Sequence, residues 1–149
     1  MRTFPWPSRL LTLSLLWATC LGAGSAFGQE MKLAGSWVVA SAKRGGEDFA
    51  QPLGDTVVFT DKSMQVKPKN PDNPSITVEL KVDTDKKPSE IDLSIDMGGE
   101  TRIVQGIFAF EGQTLRLCLA KPGDARPSSF ESKEGAESVA LVLKRAKSE

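Results

Sequence analysis

The chain of 149 residues contains no histidine and no tyrosine. Without histidine there is no Ser-His-Asp or Cys-His pair and no imidazole-bound metal. Cysteine is almost absent, with Cys20 and Cys118 the only two. No nucleophile elbow and no phosphate-cradling glycine loop occurs. Charge of one sign is lacking as well: 19 basic residues face 19 acidic ones, so no clustered basic footprint marks a nucleic-acid partner. These absences argue for a protein with no catalytic residues, no cofactor and no metal.

What is present begins with a head-to-tail asymmetry. The first nine residues carry Arg2 and Arg9 and no acid. An apolar run follows from Leu10 to Leu21, and then small residues from Gly22 to Ala26. A positive head, a short apolar middle and small residues before a polar chain form the export-signal pattern. The run is shorter than the roughly 20 residues of a membrane-spanning helix, and no second apolar stretch follows it. Cleavage fits after Ala26 or after Gly28, and the second is preferred. The expected arrangement is therefore a cleaved signal peptide over residues 1–28 and one domain over 29–149, exported to a periplasmic or extracellular space. Cys20 leaves with the signal, which rules out an internal disulfide. Arg2 and Arg9 leave too, so 17 basic residues face 19 acidic ones in the remaining 121. A single domain of that size supports its own core, and a monomer is expected.

Period-two alternation dominates the rest, the pattern of half-buried strands. Ile76, Val78, Leu80 and Val82 alternate with Thr77, Glu79 and Lys81; Ile91, Leu93, Ile95 and Met97 alternate with Asp92, Ser94 and Asp96. Gly98-Gly99 marks a tight hairpin before a long strand over 101–110. Strands are also read over 36–42, 56–60, 64–67, 114–119 and 138–145, about eight in all. A single helical turn is the alternative for Glu47–Leu53 or around Met31. The Pro- and Asn-rich stretch 67–75 is a solvated loop, as are 121–127 and the polar run around 132–137. Short sequential strands favour one all-β, antiparallel up-and-down barrel, whose closure removes exposed edges. Val39, Phe59, Val78, Leu80, Leu93, Ile95, Phe108, Leu117 and Leu141 are candidates for its inward set. Alternation alone does not separate a packed interior from a pocket, because an eight-stranded barrel suits either.

Gly35-Ser36-Trp37 on the first strand, with Arg145 ending the last, resembles lipocalin-type barrels. That resemblance implies that Trp37 plugs one end and that Arg145 packs across it, with Gly35 beside them. The physics supports the pairing, since a guanidinium over an indole gains about 0.5–2 kcal/mol. The strings KPSEIDL (87–93), QGIFAFEGQTLRLCLA (105–120), RPSSFES (126–132) and LVLKR (141–145) resemble a family of secreted, lipocalin-like domains abundant in planctomycete bacteria. The family usually has tyrosine where Phe108 stands and aspartate where Gln113 stands, so a role resting on that hydroxyl or carboxylate does not carry over. The resemblance implies a fold and a compartment rather than an activity.

Two functional readings follow. In the first, the barrel holds a small apolar or amphipathic ligand in its lumen, with Phe108, Arg126 and Phe130 at the lumen or mouth and Arg126 forking a ligand carboxylate. The other reading of that stretch has Phe130 tucking a loop onto the core and Arg126 pairing with a nearby acid. In the second functional reading, the interior is filled by side chains and the barrel is an envelope interaction or inhibitor module. Asp83, Asp85, Glu90 and Asp92 read as a polar hairpin rather than a calcium loop, because the full Asp-x-Asp-x-Asp-Gly order is missing. Cys118 reads as a buried small hydrophobe; a reactive thiol beside Arg116 is the alternative.

Overall fold

The computed structural model describes residues 32–147. The expected signal peptide, its cleavage points and the turn around Met31 lie outside them. The described chain is all β: β1 Gly35–Arg44, β2 Glu47–Asp48, β3 Thr56–Phe59, β4 Ser63–Lys67, β5 Ile76–Asp83, β6 Ser89–Asp96, β7 Thr101–Glu111, β8 Thr114–Leu119 and β9 Val139–Arg145. Every pairing is antiparallel between neighbours, and β1 also pairs with β9. The sheet therefore closes into an eight-stranded barrel, with β2 as a short addition beside β1. Closure leaves no long strand edge unpaired. Among the described residues no helix is long and apolar enough to cross a membrane.

Strand direction alternates around the barrel, so turns gather at two ends. One end carries the turns at 60–62, 84–88 and 112–113, together with the chain entering at Lys32. The other carries the segments 45–55, 68–75, 97–100 and 120–138. At that second end Gly98 and Gly99 both take positive φ (69° and 90°), as a two-residue hairpin with a primed turn requires. The Asp96 carboxylate accepts the Gly99 N–H at 2.9 Å.

The segment 47–55 combines a short pairing with β1 and the single turn read there as an alternative. Gly45 and Gly46 turn the chain back at φ 60° and 84°, and Glu47–Asp48 pairs with Arg44 and Lys43. The Phe49 N–H then bonds the Ala42 carbonyl and that of Gly54 bonds the Val39 carbonyl. Between these pairings the Leu53 and Asp55 N–H groups bond the Ala50 and Pro52 carbonyls at 3.2 and 3.1 Å, so a single turn forms over 50–55.

β1 carries a bulge. Val39 faces Leu143 and Ser41 faces Val142, which leaves Ala40 without a partner. The extra residue reverses the strand's phase. Trp37 and Val39 point inward before it, and Ala42 points inward after it. Ser41 and Lys43, which unbroken alternation would turn inward, face the outside.

Candidate functional site

At the closed end, Arg145 Cζ lies 4.2 Å from the centroid of the Trp37 ring. Register explains the meeting, because Trp37 and Arg145 face each other across the β1–β9 seam on the inward side. The guanidinium also donates to the Ala34 and Lys32 carbonyls at 2.9 and 3.0 Å. Trp37 Nε1 donates to the Leu33 carbonyl at 2.9 Å. The chain entering the barrel is thus tied across its base. Gly35 sits at φ 128°, and a Cβ there would run into Arg145 Nη1. The resemblance read in the sequence implies a cluster of Gly35, Trp37 and Arg145, and the structure brings all three together.

Above this plug the interior is packed. Trp37, Phe59, Phe108, Ile91, Leu93, Leu115, Leu117 and Leu143 are fully buried. The nine inward candidates read from alternation all belong to this core or pack against it. Phe108 is among them, edge-on to Phe110 at 5.9 Å, and Phe110 in turn stacks on Trp37 at 6.1 Å. Gly106 measures how tight the interior is. A Cβ built there would lie 2.6 Å from Leu119 Cδ2, 2.7 Å from the Cys118 carbonyl oxygen and 3.0 Å from Ile91 Cγ2. The interior has no room for one more methyl at this point.

Arg126 and Phe130 lie elsewhere than the lumen or mouth. The segment 120–138 does not arch over the open end; it folds back along the outer wall of β6 to β9 as a strap. Two backbone bonds to β7 begin it, from the Ala120 and Gly123 N–H groups to the Gln105 and Ile103 carbonyls. Arg126 then latches it to the wall. Its Nη2 donates to Asp92 Oδ1 at 2.7 Å, its Nη1 to the Gly106 and Ile91 carbonyls at 2.7 and 3.2 Å, and its Nε lies 3.6 Å from Glu90 Oε1. With its fork occupied in this way, Arg126 holds the protein's own carboxylates rather than a ligand's. Farther along, Phe130 covers Arg116, whose Cζ is 5.2 Å from the ring centroid. The Ser132 hydroxyl donates to the Ser138 carbonyl at 2.7 Å.

The strap explains Cys118. Ile107 and Cys118 are paired across β7 and β8 and are buried, yet neither belongs to the interior core. They face outward and are covered by the strap. Burial pushes the Cys118 thiol above its ordinary range, with a hydrogen bond to the Ser138 side chain acting weakly the other way. The thiol is held neutral, the opposite of what a nucleophile needs. Asp83 and Asp85, from the same acidic hairpin as Glu90 and Asp92, are engaged locally, the Asp83 carboxylate accepting the Asp85 N–H at 3.0 Å.

Three surface hollows among the described residues are large enough for a small molecule. One, of about 670 Å³, lies at the rim between the segments 49–55 and 68–73, with Phe49, Leu53, Lys69 and Asn73 in its walls. A second, of about 500 Å³, lies within the strap itself, between Lys121, Asp124, Ser128 and Lys133. A third, of about 420 Å³, lies on the outer wall between the β1–β9–β8 surface and the strap. None is lined by the fully buried interior residues. The wall hollow went unread in the sequence because it requires the bulge at Ala40 and the folded-back strap. Its one legible signal was Arg116, polar on the outward phase of β8. No protein family, curated protein or solved structure matches the chain.

Proposed function

We propose that this chain is an exported, lipocalin-like barrel that does no covalent chemistry and acts through its outer wall and rim, as an envelope interaction or inhibitor module. The filled interior carries the reading. A guest in the lumen would have to displace Phe108, Leu93 or Leu115 from a packed core, at about 1.5–3 kcal/mol for each side chain it exposes. Export rests on the charged head, apolar run and small residues of positions 1–28. The absence of histidine and the neutral, covered thiol support a non-catalytic role.

The alternative, a small apolar or amphipathic ligand in the lumen, is distinguished by methyl NMR on selectively labelled protein. Under a panel of fatty acids and phospholipids, the methyls of Ile91, Leu93, Leu115, Leu117 and Leu143 should stay unmoved. Saturable shifts of these inward methyls would establish a luminal ligand and end the filled-core reading. Mass measurement of the exported chain tests the compartment: the N-terminus should be Gln29, or Phe27 from the other cleavage point, and retention of residues 1–26 would contradict it.

A further inference from the structure

The geometry points to the hollow on the outer wall as a binding site for a small amphipathic carboxylate, an inference that rests on the surface-acting reading above. Three independent features converge there. The first is the bulge at Ala40, which rotates Ser41 and Lys43 out of the barrel and onto the floor of the hollow beside Ala140 and Val142. Bulges recur where a strand re-aims side chains for a purpose.

The second is the strap, which makes the hollow a walled site. Phe130 to Lys133 overhang the floor, and Arg126 ties the strap down upstream. Downstream it packs on the β1–β2 turn, where a Cβ at Gly46 would sit 3.3 Å from the Glu134 nitrogen and 3.6 Å from the Ser132 carbonyl oxygen. The walls are therefore held by the fold before any ligand arrives, which lowers the ordering cost of binding.

The third is the chemistry of the lining. Lys43, Arg116 and Lys133 supply three cationic side chains against one acid, Glu131. Arg116 gives one N–H to Glu111 at 3.0 Å, and Lys43 Nζ lies 4.0 Å from the exposed Asp48 carboxylate, too far for a hydrogen bond. Arg116 thus keeps further donors for a carboxylate fork. Phe130, Ala140 and Val142 offer an apolar surface beside these cations. An anion with a short hydrocarbon body satisfies both halves; a neutral or cationic molecule satisfies one.

Octanoate, octan-1-ol and octylammonium, added separately to 15N-labelled protein, test the site. Octanoate should shift the amides of Ser41, Arg116, Phe130–Lys133 and Val142 saturably, and the other two should not. Arg116→Gln and Lys133→Gln should each weaken octanoate by about tenfold, as loss of a charge-assisted bond does. Lys133 is exposed, so its variant keeps the test valid if Arg116→Gln disturbs the wall. Equal binding of octan-1-ol or octylammonium, or no shift at millimolar octanoate, would overturn the carboxylate site and leave the filled interior intact. Shifts centred on Leu93, Phe108 and Leu115 instead would overturn both readings.

Discussion

Arg145 Cζ stands 4.2 Å from the centre of the Trp37 ring while its two Nη atoms hold the Ala34 and Lys32 carbonyls. One side chain thereby joins the last strand, the first strand and the chain leading into it. The contact replaces a sheet edge with a plug, and its strength sets how firmly the base is closed. Arg145→Ala should lower stability by about 1–2 kcal/mol through lost stacking and packing. Trp37 emission should move to longer wavelength as water reaches the ring. An unchanged melting temperature and spectrum would show that the base closes without this pair.

Gly106 offers the corresponding test of the interior. With Leu119 Cδ2 and the Cys118 carbonyl both inside van der Waals contact of an added methyl, Gly106→Ala should cost about 1–3 kcal/mol as an overpacking substitution. Chemical denaturation measures it. A neutral or stabilising result would mean that the interior has slack.

The Arg126 latch should be legible in the reactivity of Cys118. Arg126→Ala removes four contacts to β6 and β7 and should speed alkylation of the thiol in the folded protein. Arg126→Lys should restore little, because a single ammonium cannot reproduce the fork shared between Asp92 and two carbonyls. If alkylation in both variants is as slow as in the parent, the strap is held by its remaining contacts alone.

The same thiol gives stability a pH dependence with a defined sign. Its pKa is higher folded than unfolded because burial disfavours the thiolate. The unfolded state therefore loses its proton first as pH rises. Stability from this group is fully present below the ordinary thiol range of about 8.5 and is lost as pH climbs through the raised folded value. Denaturant midpoints at rising alkaline pH should fall faster for the parent than for Cys118→Ala. Parallel slopes would show that the thiol does not contribute.

Much of the architecture was legible because alternation is strict where strands are half-buried. Ile76–Val82 and Ile91–Met97 read as strands at sight, and the inward set followed from their phase. The pairing of Trp37 with Arg145 was legible through the resemblance that Gly35-Ser36-Trp37 and the terminal arginine carry, and barrel closure, which brings the first and last strands together, agrees with it. The bulge was not legible: nothing in Val39-Ala40-Ser41 distinguishes an inserted residue from continued pairing, and the phase beyond it reverses. Of the two readings of Arg126 and Phe130, the structure follows the one that pairs Arg126 with nearby acids, but the path of their segment was not legible, for a different reason. A polar segment rich in Pro, Gly and Ser has no period, so its path depends on what it meets. Here it meets Glu90, Asp92 and the outward Ile107–Cys118 pair, which draw it onto the wall.

The filled interior is tested most directly by diffraction from crystals held under xenon, which enters dry apolar cavities and scatters strongly. A filled interior takes up no xenon between Phe108, Leu93 and Leu115. A well-occupied xenon site among those three residues would contradict it, and would return the lumen to the role of a ligand pocket.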